Sequence, residues 1–174
     1  MIEEFDAGAA FTTAFDQELN QYPPGTEFRA SGRSSKAHPH GEDDGWWRNN
    51  GPPMVQAWID WRTRNPGWTT WVSPDGTLGI ELELNVTIDH ELIKLFIDNV
   101  MATGDGNGRP IVVDKKSGGM DPYWMFQLGL YKVALETVWP DVQVFGGAYW
   151  MARKGELSGI VPLDSFTPKL VGTY

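Results

Sequence analysis

The chain contains no cysteine in its 174 residues. That excludes disulfides, thiolate zinc sites and cysteine-ligated iron–sulfur clusters, and with them the small stapled domain of secreted proteins. Cationic side chains are few, 14 Lys and Arg against 23 Asp and Glu, for a formal net charge of −9. Such acidity argues against a protein that coats nucleic acid indiscriminately, while leaving local contact open. Long apolar runs are missing too. No stretch approaches the roughly 20 residues of a membrane span, and the acidic Met1 to Asn20 segment lacks the basic start and apolar run of a signal peptide. What is present is an ordinary 41% of hydrophobic residues, enough for one domain with a sizeable core, and an unusual 9 Trp and 20 Gly.

The charge is uneven. Residues 1–89 hold 14 acidic and 6 basic side chains, whereas residues 90–174 hold 9 and 8, so a polyanion is expected to meet the second half. Ile2 to Leu19 fits a first helix ended by Pro23-Pro24-Gly25, and the polar stretch Pro23 to Asn50 reads as a long loop. Pro52-Pro53 after Gly51 reads as the start of a second helix that Pro66-Gly67 stops. From Trp68 the period changes to two. Ile80, Leu82, Leu84, Val86 and Ile88 alternate with polar residues as in a strand with one buried face, Leu92 to Met101 forms a second strand, and Pro110 to Lys116 a third. Asp121-Pro122 opens a helix to about Val138, followed by strands at Val142 to Met151 and Leu157 to Val161. The order, helix, three-strand meander, helix and strand, predicts an α/β or α+β sandwich with the sheet in the middle.

Opposed residues of an antiparallel pair have a constant index sum, so turns predict partners. A two-residue turn at Asp89-His90 gives 179 and sets Asp98 opposite Glu81. A glycine-rich turn centred on Gly106 gives 212 and sets Asp98 opposite Asp114. Three carboxylates then form one row, with Glu83 on the same face as an alternative to Glu81, and Lys116 projects beside Asp114 because side chains alternate. Like charges opposed across a sheet cost about 0.2–1 kcal/mol per pair, so the row calls for a cation. Hard oxygen ligands suit Mg2+ or Mn2+, and a lysine beside them can hold or deprotonate a water and stabilise charge developing on a phosphate. That is phosphodiester hydrolysis in outline.

The segments "LFIDNV", "IVVDKKSG" and "QLGLY", followed by "GAYWMARKGEL", resemble the RecB-type branch of the PD-(D/E)XK nucleases, in particular RecB-like proteins of actinobacterial phages. The resemblance runs from about Gly51 to Met151. It implies a restriction-endonuclease-like αβββαβ core, a central mixed sheet flanked by helices, within a single domain over residues 1–174. In that domain 1–50 form an N-terminal helix and polar loop, 51–151 the core, and 152–174 a C-terminal strand and tail. Carried over by residue, it makes Asp98 and Asp114 metal ligands, with the Lys115 backbone carbonyl a further oxygen. Lys116 becomes the catalytic lysine, and Gln127 and Tyr131 face the site from the helix and contact DNA or the surroundings of the lysine. Gly118 opens the loop beside it. Leu95 stands where the family often has Gly, Lys115 and Ser117 alter "D-x-K-T-G", and no "G-x-x-x-H" helix supplies a metal-binding His.

The resulting expectation is an Mg2+- or Mn2+-dependent deoxyribonuclease, an exonuclease leaving 5′-phosphates, that acts on DNA in phage recombination, repair or DNA processing. It carries no iron–sulfur cluster and no membrane partner, and resides in the bacterial cytoplasm or that of a phage host. A protein partner or self-association is left open. The alternatives are a catalytically silent nuclease-like protein that binds DNA ends or a protein, and a Trp-rich carbohydrate-binding domain. Neither needs a lysine two residues after a carboxylate in a sheet. His38 and His40, beside Glu42, Asp43 and Asp44, read first as a polar loop and second as a metal site. The tryptophans Trp46, Trp47, Trp58, Trp61, Trp68 and Trp71 read first as core and second as a surface that stacks on bases or sugars, Trp46 and Trp47 beside Arg48 being the best placed for that.

Overall fold

The alternating segment pairs with its neighbour through a tight turn. Strand β2 (Ile80–Ile88) and strand β3 (Glu91–Ala102) are joined by Asp89 and His90, both at positive φ, 49° and 72°, the left-handed backbone of a two-residue hairpin loop. Opposed residues sum to 179, as in Leu82 with Ile97 and Val86 with Ile93. Strand β4 (Pro110–Lys116) runs antiparallel on the other side of β3 with a sum of 212, as in Asn99 with Val113. Both expected registers are the ones found. The computed structural model describes residues 5–26, 41–104, 107–118, 122 and 125–172.

Helix α3 (Phe126–Val138) then crosses over to strand β5 (Gly146–Met151), which lies parallel to β4. Strand β6 (Glu156–Leu157) pairs antiparallel with β5. A two-residue strand β1 (Thr69–Thr70) shares one edge of β3 with β2, pairing with Met101 and Ala102. Among the described residues the result is a six-stranded mixed sheet in an α/β fold.

One face of the sheet presents Leu82, Leu84 and Val86 to Leu128, Tyr131 and Leu135 of α3, all buried. Fully burying each Leu or Val contributes roughly 1.5–3 kcal/mol, so this helix–sheet layer is the main source of cohesion. Gly129 lets the C-terminal tail approach α3, since an added Cβ would stand 2.1 Å from the Phe166 ring. The tail ends in the short helix α4 (Pro168–Val171), capped by Thr167.

By its internal contacts the chain divides into two compact units, Met1–Thr63 and Arg64–Tyr174, and the sheet belongs to the second. In the first unit, helix α1 (Ala7–Leu19) is capped by Asp6, whose carboxylate accepts from the Ala9 N–H at 2.9 Å. It packs on helix α2 (Asp44–Arg64), where Gly51 is needed because any Cβ would fall 2.0 Å from Phe11. Arg48 of α2 bonds Asp16 at 2.6 Å and lies over the Phe15 ring. That arginine is therefore engaged within its own unit. Trp46 and Trp47, both half-buried, meet edge to face.

The structure departs from the sequence reading at several ends. Residues 44–50, expected in the loop, begin α2, because Asp43 caps a helix there: its carboxylate accepts from the Trp46 N–H at 2.8 Å. Pro52 and Pro53 consequently lie inside the helix, where they leave carbonyls without N–H donors. Helix α3 starts at Phe126, not at Asp121-Pro122; Pro122 is outside it and Asp121 lies outside the described residues. Strand β5 starts at Gly146 instead of Val142, and β6 is only Glu156–Leu157, although Val161 still bridges Gly147. Strand β1 and helix α4 were not foreseen. His38 and His40 lie outside the described residues. Among the described residues, no helix is long and apolar enough to cross a membrane.

Candidate carboxylate–lysine site

The pairing of β3 with β4 is last registered at Asn99 and Val113, so the next opposed positions are Asp98 and Asp114. Here the Lys115 N–H donates to the Asp98 carboxylate at 2.7 Å, a side chain standing where a ladder carbonyl would otherwise accept. In an extended strand, the N–H and C=O of one residue face the same neighbour, so the Lys115 carbonyl faces that side too. Asp98 is half-buried and Asp114 is only 2% exposed.

A buried carboxylate needs compensation, and it comes from two side chains. The Lys116 ammonium lies 2.6 Å from Asp114 Oδ2 and donates to Gln127 Oε1 at 2.9 Å. Gln127 Nε2 in turn donates to Asp114 Oδ1 at 2.8 Å and to the Tyr131 hydroxyl oxygen at 2.6 Å. The amide is oriented so that its oxygen meets the cation and its nitrogen the anion. Gln127 and Tyr131 stand one turn apart on α3, and so reach one point. The ammonium also lies 5.8 Å from the centre of the Tyr149 ring, and Tyr149 is the residue of β5 in register with Asp114. The Lys116 carbonyl accepts from the Ala152 N–H at 3.0 Å and the Ser117 carbonyl from Arg153 Nε, which pins the end of β4.

Burial pushes the Asp114 carboxyl above the usual carboxylate range, the neighbouring charge of Asp98 adds to that, and the Lys116 ammonium pulls against it. Burial likewise raises the Tyr131 hydroxyl to about 12, the Asp114 and Asp98 charges reinforcing it, so it remains a neutral phenol. Tyr149 is raised for the same two reasons, burial first and then the Asp114 charge.

The third carboxylate of the expected row stands elsewhere. Glu81 has φ 45°, a left-handed backbone that breaks the alternation of β2, and its carboxylate lies 3.6 Å from the Lys115 ammonium. Glu83 pairs with Lys94 at 2.9 Å, and that hydrogen bond, with one from Asn85, holds its carboxyl below the usual range. Among the described residues, no three His, Asp or Glu stand together in a way that could hold a metal ion. The oxygens gathered at the site are those of Asp98 and Asp114, with the Lys115 carbonyl facing the same side. That set fits Mg2+, which commonly takes one or two carboxylates and completes its shell with water and phosphate. Asp114 Oδ2 is buried and accepts no hydrogen bond from the backbone or from Gln127; the Lys116 ammonium, 2.6 Å away, marks it as a position that takes a cation. The absence of cysteine excludes an iron–sulfur cluster.

Tyr149 escaped the sequence reading. It carries no signal by spacing, because the parallel register of β4 and β5 is set by a crossover helix and not by a turn.

No protein-family model matches the chain. The chain is similar to the Gene 69 protein of Mycobacterium phage D29, 33% identical over 124 residues that cover 63% of this chain and 44% of that protein. It thus spans less than half the length of that curated relative.

Proposed function

We propose that the chain is a metal-dependent deoxyribonuclease of the RecB-like PD-(D/E)XK type, hydrolysing phosphodiester bonds. The observation that carries this reading is Lys116, held between buried Asp114 at 2.6 Å and Gln127 at 2.9 Å, with Asp98 beside them on the facing strand. Two carboxylates, a tethered lysine and a glutamine that bonds the lysine and the buried carboxylate are parts that suit a phosphodiester hydrolase. In this reading Asp98, Asp114 and the Lys115 carbonyl would hold Mg2+ or Mn2+, which when bound would supply Lewis acidity toward a phosphoryl oxygen and a lowered pKa of water.

The protein's own groups do the rest. Lys116, 31% exposed at its side chain, reaches solvent and can place its ammonium against a nonbridging oxygen of the substrate or orient the attacking water. Gln127 keeps that ammonium aimed, and Tyr131, neutral throughout the physiological range, bonds the amide of Gln127 in place. The nearly neutral second half of the chain, which bears these strands, lets a DNA strand approach despite the overall net charge of −9.

The test is incubation of linear and circular, single- and double-stranded DNA with Mg2+ or Mn2+, beside Asp114→Ala and Lys116→Ala. Cleavage by the unmutated protein and a loss of about 10²–10⁴-fold in the lysine variant are expected, the range for a positioned acid–base group. No cleavage of any substrate, or equal cleavage by the variants, removes the reading.

A further inference from the structure

Beside the carboxylate–lysine site the sheet carries a cleft of about 510 Å³, lined among others by Met125, Tyr149, Met151, Glu156, Ser158 and Ile160. Its floor is continuous with the site. Tyr149 and Met151 are the residues of β5 in register with Asp114 and Lys116 of β4, so the cleft begins one strand spacing, about 4.8 Å, from those side chains. On its far side, Glu156 and Leu157 of β6 pair with Met151 and Trp150, and the Ser158 hydroxyl accepts from the Tyr149 N–H at 2.8 Å. Floor and far wall are therefore one hydrogen-bonded piece of sheet.

The lining chemistry selects the occupant. An aromatic ring, two thioethers and aliphatic side chains, with the Glu156 carboxylate and Ser158 hydroxyl at one side, make the cleft suited to a flat, uncharged group with apolar faces and a polar edge. Among the described lining residues none is cationic and the carboxylate of Glu156 is the charged group, which disfavours a phosphate in the cleft itself. A nucleobase meets each condition: it is flat and uncharged, and those with an exocyclic amino group can donate to a carboxylate. We infer that this cleft seats a base of the substrate strand while the adjoining phosphate lies at Lys116. The inference rests on the nuclease reading for the identity of the polymer. It adds that an unpaired nucleotide, its base turned into the protein, is the bound form, so the preferred substrate is a single strand or a frayed end.

The experiment measures binding of a dye-labelled short single strand by fluorescence anisotropy in Ca2+, against the same sugar–phosphate backbone without bases. Gly159 lines the cleft and an added Cβ there meets nothing within 4 Å, so Gly159→Phe fills the space with side chain. The unmutated protein is expected to bind the strand with bases about tenfold more tightly than the abasic one, the effect of one stacked base. Gly159→Phe should reduce that difference to less than about threefold, and a difference that persists in this variant counts against the cleft as the base site. Equal affinity of the unmutated protein for both strands overturns the inference, and this comparison needs no variant to fold. Cleavage without base-dependent binding removes the cleft and leaves the nuclease. Base-dependent binding without cleavage by any metal does the reverse.

Discussion

Asp114 and Lys116 form an unequal pair, which makes their separate removal informative. The aspartate side chain is 3% exposed and the lysine side chain 31%. Lys116→Met removes the cation from a carboxylate that cannot reach water, and breaking a buried pair from one side costs about 3–5 kcal/mol. Gln127 still donates to Asp114 Oδ1, so the lower end, about 3 kcal/mol, is expected. In a chain of this size that is a loss of roughly 10 °C in Tm. Asp114→Asn acts oppositely: the amide oxygen can still accept from Gln127, and Lys116 can turn outward, so stability should stay within about 1 kcal/mol of the parent. In the Asp114→Asn background, Lys116→Met should then cost less than about 1 kcal/mol, because the charge it compensated is gone. Guanidinium unfolding with a chelator present measures all four proteins. Mg2+ added to Lys116→Met should recover part of the loss, a cation taking the place of the ammonium. Equal destabilisation by the two single variants, or a lysine cost that persists without the aspartate, would refute the assignment of Asp114 as a buried charge held by Lys116.

Further substitutions probe the carboxylates of β2 and the packing of the tail. Glu81→Gln and Glu83→Gln should leave the rate of DNA cleavage within about threefold, under 1 kcal/mol of barrier, since their carboxylates lie with Lys115 and Lys94 and not with Asp98. A loss of orders of magnitude in the Glu81 variant would instead place its carboxylate in action with Asp98 and Asp114. Gly129→Ala should destabilise by about 1–3 kcal/mol, because the new Cβ overlaps the Phe166 ring and the tail must shift. Unchanged thermal unfolding of that variant would show that the tail does not pack there in solution.

The features legible in the sequence share one property: each is set by neighbours within a turn or a hairpin. Alternation over Ile80–Ile88, the Asp89-His90 turn and the apolar run before Asp114 fixed β2, β3 and β4 and their two antiparallel registers. The juxtaposition of Asp98 and Asp114 followed by arithmetic. What could not be read depends on distant packing or on competing local signals. Pro52-Pro53 is a good helix start, yet Asp43 caps the helix well before Pro52 and the helix tolerates both prolines inside it. The place of Tyr149 needs the parallel crossover through α3.

Glu81 is the instructive failure, because the index sum was right and the conclusion drawn from it was not. Ile80 with Asn99 and Leu82 with Ile97 both sum to 179, so Glu81 stands opposite Asp98 along the chain. Its φ of 45° nevertheless takes it out of the pleat, and no ladder pairing is registered between the two. A sum specifies which residues are opposed; only an extended backbone makes opposed side chains share a face. Electrostatics runs the same way, since a third carboxylate beside Asp98 and buried Asp114 would add like charge where the compensating cation, Lys116, is already committed to Asp114. By leaving the row, Glu81 gains Lys115 as a partner, and the site retains two carboxylates, the buried one held by the Lys116 ammonium and Asp98 by the Lys115 N–H.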